Sequence, residues 1–329
     1  MSVRITIVGL GQIGSSIGLA LKARDLDIHR IGHDKDPQAA KESQRAGAVD
    51  DVKYNLPASV RESQIVILAL PLAAVRETLE IIAPDLQEGT LVLDTAPAKA
   101  TVAAWAQELL PAGRFYIGLT PAINPEYLHG TEVGVKAARA DLFQRGLMVV
   151  NAPPRTPENV FNLAMDLVKV LGAMPLLMDT AEADGIFSAM HVLPQLAAAA
   201  LLDTTVDRPG WLEARKLAGR PYAAVTAGCH EDALSLGESA LENRENVVRL
   251  LNAYISSLIG LRDEIEAGDR EVVRKRLEEA LNGRVRWLEE RSAGEWLRSE
   301  SPTDTPSFGD RMQQTFFGGL ITDRQKQRR

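Results

Sequence analysis

The sequence is poor in the residues that build covalent or metal-based cross-links. One cysteine, Cys229, stands among 329 residues. That excludes an intrachain disulfide and a cysteine-rich metal site, and leaves a small buried thiol as the expected role. Basic charge is also short: 37 Lys and Arg against 44 Asp and Glu leave a net charge of -7. The balance argues against nucleic acid or an anionic membrane as the main partner. No apolar run is expected to reach the ~20 residues of a membrane span. No basic-then-apolar leader precedes the strand pattern that starts at Val3, so no secretory signal is expected. A cytoplasmic protein acting on a small molecule follows as the expectation, with no metal site. The length suits two domains, and a hydrophobic content of 45% provides for a sizeable core.

What the chain does have is concentrated near its start. Ile5-Thr-Ile-Val-Gly-Leu-Gly-Gln-Ile-Gly14 is an apolar strand pattern that runs into Gly9, Gly11 and Gly14, and a helical pattern follows at once. Such glycines serve a tight turn, a close approach of backbone to a pyrophosphate, and close packing of helix on strand. The first helical N–H groups, around Gln12 and Ile13, then face the phosphates. About twenty residues on, Asp34 closes the next strand pattern. A carboxylate there accepts hydrogen bonds from the adenosine ribose and repels an extra phosphate, so the reading favours NAD over NADP. Lys35 adjoins it and keeps some tolerance of NADP open.

Strand patterns at 4–8, 28–32, 65–70, 91–94, 115–119 and 147–151 alternate with helical patterns at 13–24, 37–46, 72–82 and 99–110. Continuous apolar strands alternating with helices predict a doubly wound, mostly parallel α/β sheet of Rossmann type, covered on both faces. Leu70 and Pro71 fall at the carboxyl edge of that sheet, where a dinucleotide lies. A helix at 158–171 and a last strand at 172–178 complete this domain, taken as residues 1–178. From 179 to 298 the patterns are helical, at 181–202, 221–236, 241–260 and 270–290. The run Leu196-Ala-Ala-Ala-Ala-Leu-Leu202 is apolar nearly all round, which predicts burial on every side and a homodimer through an all-α domain. Residues 299–329 form a polar tail, expected to be partly disordered.

Three segments carry candidate chemistry. In Asp94-Thr-Ala-Pro-Ala-Lys99, Thr95 is placed to hydrogen-bond the nicotinamide carboxamide or a substrate, and Lys99 either attracts an acid or starts the next helix. In Gly118-Leu-Thr-Pro-Ala-Ile-Asn124, Thr120 and Asn124 face the same cleft, whereas His129 reads as an exposed loop residue. In Met190-His-Val-Leu-Pro-Gln195, His191 sits on an apolar helix that Pro194 must kink or leave with an unbonded carbonyl. His33 reads as a flank of the adenine pocket, and His230 as part of a helix start or loop.

With these motifs in order, the chain resembles the prephenate dehydrogenase family of tyrosine biosynthesis over roughly residues 1–285. The resemblance rests on Gly9 through Ser16, Gly32 through Pro37, Asp94 through Lys99, Thr120-Pro-Ala, Asp141-Leu-Phe143 and His191-Val-Leu-Pro194. It implies a Rossmann domain followed by a helical dimerisation domain. The implied activity is NAD-dependent oxidation of the prephenate ring hydroxyl, with loss of carbon dioxide to give 4-hydroxyphenylpyruvate.

This chain departs from the family pattern at several substrate positions. The histidine of the family's His-Pro motif is Thr120, a loop serine is Pro97, and a His-Asp pair is replaced near Ala183-Asp184. The last histidine of a Ser-His-Leu-Pro-His motif is Gln195. One arginine of a carboxylate-binding segment survives as Arg220; the other falls at Ala224 or Val225. Threonine has no basic nitrogen, so the resemblance leaves His191 as the candidate base and Thr120 as a hydrogen-bonding partner. Gln195 and Arg220 join Thr95 and Asn124 as candidate substrate contacts. Two alternatives stand beside this reading: a diverged dehydrogenase for another small substrate, and a dinucleotide-binding protein without turnover.

Overall fold

The computed structural model describes residues 2–24, 26–229 and 232–294; the expectations for His230 and the polar tail lie outside them. The chain divides into two compact units, at 180/181 and again at 283/284. The first is an eight-stranded sheet of order β3-β2-β1-β4-β5-β6-β7-β8. Its strands are β1 (Val3–Val8), β2 (Ile28–His33), β3 (Asp51–Val52), β4 (Ile65–Leu68), β5 (Leu91–Asp94), β6 (Phe115–Ala122), β7 (Leu147–Asn151) and β8 (Met174–Leu177). The helices are α1 (Gln12–Lys22), α2 (Pro37–Arg45), α3 (Leu56–Val60), α4 (Leu72–Ile82), α5 (Lys99–Leu109) and α6 (Glu158–Val170).

Strand alternation sorts the core onto two faces. Ile5 and Ile7 pack with Ile17 and Leu21 of α1 and with Leu163 and Leu167 of α6. Val66 and Leu68 pack on the other face with Val75 and Leu79 of α4 and Val102 of α5. A strand buried on both faces favours apolar residues at successive positions, as in Ile65–Leu68. In β1 the buried Thr6 between Ile5 and Ile7 is accommodated by its hydroxyl donating to Ser59 O at 2.6 Å. All pairings are parallel except β6 with β7. A parallel return needs a long crossover, usually a helix. Residues 123–146 hold only the short 3-10 turns Pro125–Tyr127 and Gly134–Ala137, so β7 turns back antiparallel.

One ion pair stiffens the outer strands. The Arg30 guanidinium is buried, binds Asp50, and donates to the carbonyls of Gly18 and Gly47. Burial alone would raise the Asp50 carboxyl, but the hydrogen bonds and charge of Arg30 outweigh it and lower the pKa from its usual 3.8. A carboxyl depressed on folding contributes stability that is complete above pH 3.8 and is lost as the pH falls from there through the lower folded value. Asp50→Asn should therefore flatten the dependence of melting temperature on pH below that value. An unchanged slope would show that the pair is not coupled to folding.

The second unit, residues 181–283, is helical. Its helices are α7 (Thr180–Phe187), α8 (Leu193–Thr205), α9 (Trp211–Leu217), α10 (Arg220–Thr226), α11 (Ala233–Glu242), α12 (Arg244–Ala267) and α13 (Arg270–Ala293), the last shared with the first unit. Three expectations need correction. The stretch expected as one helix over 221–236 is two, α10 and α11. Cys229 is exposed, not buried. The continuous helical stretch Thr180–Thr205 is long and apolar enough to cross a membrane by length and composition, and only 22% of its most apolar window is buried within the chain. Its few charges sit near its ends, which kept the sequence from reading as one apolar run.

Candidate dinucleotide site

The chain winds from β1 to β2 and β3 on one side, then returns to β4 on the other. Strand order therefore reverses between β1 and β4, and such a reversal opens a crevice at the strands' carboxyl ends. The glycine turn lies there. Gly9 has φ +90°, and a Cβ on it would stand 2.3 Å from the Ala69 carbonyl oxygen beyond β4. A Cβ on Gly14 would stand 1.9 Å from the Gly9 oxygen. Around Gly11 the situation is opposite, with no atom within 4 Å of the Cβ position. Two glycines are thus demanded by backbone contacts and the middle one leaves open space.

α1 begins at Gln12 with no side-chain cap on its first N–H groups and no acid in its first turn. Uncapped N–H groups and the positive end of a helix dipole are suited to a phosphate anion. The Gln12 side chain turns aside to the Ala137 carbonyl at 3.4 Å, and Ile13 packs into the core, so both offer backbone to the crevice.

Asp34 follows directly on β2. Its Oδ2 accepts from the Leu10 N–H at 2.7 Å and its Oδ1 from the Asp36 N–H at 2.8 Å. The acidic residue is thereby fixed to the middle of the glycine turn by the Leu10 N–H and to its own following turn by the Asp36 N–H, and it remains partly exposed. His33 is buried, with Nδ1 2.8 Å from the Lys53 carbonyl. Leu70 and Pro71 come in from β4: the Leu70 side chain lies 2.9 Å from the Gly9 Cβ position, and Pro71 begins α4. Thr95, after β5, donates its N–H to Leu68 O at 3.0 Å and its hydroxyl to the same oxygen at 3.4 Å. The candidate cofactor residues of β1, β2, β4 and β5 therefore stand along one sheet edge.

Lys99 does not attract an acid from outside. It is 0% exposed, and its Nζ lies 2.8 Å from Asp94 Oδ2, which is also fully buried. Asp94 further accepts from the Tyr116 hydroxyl at 2.5 Å and the Ala96 N–H at 2.8 Å. Between them Ala98 holds a left-handed φ of +63° at the start of α5. Tyr116 carries no motif; only its position two residues before Gly118 places it on the Lys99 face.

Thr120 lies on β6, 9% exposed, and its Oγ1 has no hydrogen-bond partner among the described residues. Asn124 is engaged locally: its Oδ1 accepts from the Glu126 N–H at 3.1 Å and its Nδ2 donates to Asp141 O at 3.3 Å. This capping holds the start of the 3-10 turn rather than presenting an amide to the crevice. His129 is exposed.

In the second unit, Ser188–Val192 forms a π-helical turn just before Pro194. Proline lacks an N–H and crowds the preceding turn, and a widened turn accommodates both. Asn243 latches it, donating to Asp184 O and Ser188 Oγ, each at 2.7 Å. His191 is exposed on this turn. Gln195 is buried and donates to the His191 carbonyl at 3.2 Å, while its Oε1 has no partner among the described residues. Arg220 is the exposed first residue of α10.

Comparison with known proteins follows the same division. The family model described as prephenate dehydrogenase, nucleotide-binding domain, matches residues 17–176. That stretch starts inside α1, so the glycine turn stands on its own geometry. Prephenate dehydrogenase of Bacillus subtilis (strain 168) is 24% identical over 269 residues, covering 81% of this chain and 71% of the relative. Cyclohexadienyl dehydrogenase of Zymomonas mobilis is 26% identical over 291 residues, covering 85% and 94%. The crystal structure of Aquifex aeolicus prephenate dehydrogenase with hydroxyphenyl propionate and NAD+ has a TM-score of 0.75 at 22% identity, over 87% of this chain and 98% of that one. Synechocystis arogenate dehydrogenase gives 0.66 at 22%, over 87% and 100%. These structural likenesses establish the fold.

Proposed function

Because the chain belongs to the prephenate dehydrogenase family, we propose that it is an NAD-dependent oxidoreductase of tyrosine biosynthesis that converts prephenate to 4-hydroxyphenylpyruvate. The observation that carries the cofactor assignment is the open space at Gly11 between two glycines whose Cβ positions are blocked by backbone oxygens. Gly9, Gly11, Gln12, Ile13 and Gly14 would hold the pyrophosphate, Asp34 the adenosine ribose, and Leu70, Pro71 and Thr95 the nicotinamide side. Bound NAD supplies the hydride acceptor. The substrate gives up hydride from the carbon bearing its ring hydroxyl and the proton from that hydroxyl. The bond to the ring carboxylate then breaks, carbon dioxide leaves, and the electron pair makes the ring an aromatic phenolate, which takes up a proton to become the phenol.

A base must take the hydroxyl proton, and threonine cannot do so near neutral pH. His191 is assigned that role, with Thr120 hydrogen-bonding the hydroxyl and Thr95, Gln195 and Arg220 orienting the rest, whereas Asn124 is held by its own turn and is assigned no substrate contact. His191→Ala should lower prephenate turnover by about 10²–10⁴-fold, read as NADH formation, with the dissociation constant for NADH unchanged. Retained turnover would remove His191 from the chemistry.

Thr120 and the loss of a second arginine at Ala224 or Val225 favour one further reading, a dehydrogenase for a less anionic small substrate. Activity on a panel of hydroxy acids, with none on prephenate or arogenate, selects it. Tight NAD binding without turnover on any of them indicates a binding protein. We also propose a cytoplasmic homodimer joined through residues 179–298. Exposed Val248, Ile255, Leu258 and Ile259 on α12 support it, because apolar patches of this kind mark association surfaces.

A further inference from the structure

Two buried oxygens on one face of the sheet lack a hydrogen-bond partner among the described residues: Thr120 Oγ1 and Asn151 Oδ1. Their placement follows from register. Gly118 of β6 pairs with Asn151 of β7, and Thr120 with Val149. A Cβ on Gly118 would lie 3.5 Å from the Asn151 Cβ, so Asn151 shares the face of Gly118. Thr120, two residues along β6, shares it too. Diagonal neighbours on an antiparallel pair lie within about 7–8 Å, so a single small group can meet both. Thr120 is 9% exposed and Asn151 3%. A buried polar atom without a partner costs stability, and two side by side at the sheet edge next to the Asp94–Lys99 loop call for an explanation.

The donor and acceptor inventory fixes what would satisfy them. Asn151 donates its Nδ2 to the Met178 carbonyl at 2.5 Å; a carbonyl accepts only, so the amide orientation is settled and the inward atom is an acceptor. Thr120 adds one hydroxyl, which can donate or accept. The Lys99 charge beneath Gly118 is met by Asp94. A carboxylate would find one donor and an opposing oxygen here, which is a poor match. We propose that Thr120 and Asn151 form a neutral recognition pair for an uncharged donor group, a hydroxyl or a carboxamide N–H, belonging either to the nicotinamide or to the substrate. The inference rests on reading this edge as the dinucleotide site.

Thr120→Val decides it, because it removes one unpartnered hydroxyl at nearly constant shape. Asn151→Leu is the supporting variant, since it also loses the Met178 contact. Binding of NADH and of the reduced 3-acetylpyridine analogue, which has a ketone in place of the carboxamide, is measured by fluorescence, and KM for prephenate by steady-state kinetics. If the pair holds the carboxamide, both variants weaken NADH about 3- to 10-fold and leave the analogue unchanged. If it holds a substrate hydroxyl, NADH binding is unchanged and the substrate KM rises by a similar factor. In either case Thr120→Val does not lower the melting temperature. Unchanged binding and KM, or a loss of melting temperature with equal weakening of both dinucleotides, overturns the proposal. Failure of the wild-type protein to bind NADH overturns the dinucleotide reading itself, and the proposal with it.

Discussion

Gly11→Val should leave the melting temperature within ~2 °C of the parent and weaken NAD binding by about 100-fold or more. Gly11 has φ -75° and ψ -157°, an extended conformation open to valine, and no atom lies within 4 Å of its Cβ position. The added methyls therefore cost the fold little and fill the space proposed for the pyrophosphate. Gly14→Ala should behave oppositely. Its Cβ would stand 1.9 Å from a backbone oxygen and 3.1 Å from the Ile7 side chain, so α1 has to move off β1, at about 1–3 kcal/mol. Calorimetry gives both quantities for both variants. Normal NAD affinity in the stable Gly11 variant would mean that the turn does not face a dinucleotide.

Lys99→Met should destabilise the first unit by about 3–5 kcal/mol. Methionine keeps much of the apolar stem but leaves Asp94, 0% exposed, without its cation. The same loss frees the loop in which Ala98 is held at a left-handed φ of +63°. Adding Asp94→Asn should recover most of the loss, because the amide is neutral: its oxygen can accept from the Ala96 N–H while its NH2 donates to the Tyr116 hydroxyl oxygen. Denaturant titration of the two single variants and the double variant measures the coupling. A single Lys99→Met variant as stable as the parent would show that the ion pair does not hold the loop.

The first unit was legible because its signals are local. Strand runs such as 65–68 and 91–93 are apolar at every position, and the Gly9, Gly11 and Gly14 spacing lies within one strand-to-helix turn. What could not be read depends on partners far along the chain. The hydrogen bond from Leu10 to Asp34, the burial of Lys99 by Asp94, and the engagement of Asn124 by Asp141 are tertiary facts. Lys99 at a helix start looks the same in sequence whether its stem points to solvent or under Gly118. In the second unit, helices were legible but their breaks were not. The π turn at 188–192 was foreshadowed by Pro194, whereas the interruption between α10 and α11 has no proline and is marked by Gly228 and by Asp232, which caps α11.

The bond from Leu10 to Asp34 has a consequence for changing the cofactor. The usual route to NADP replaces the acidic residue by a small or basic one. In this chain that replacement also strips the backbone amide between Gly9 and Gly11 of its acceptor. Selectivity for the ribose and the shape of the turn are thus one heritable trait. A lineage moving toward the phosphorylated cofactor must find a second substitution that takes over the Leu10 amide, and a library varying position 34 alone searches the wrong space.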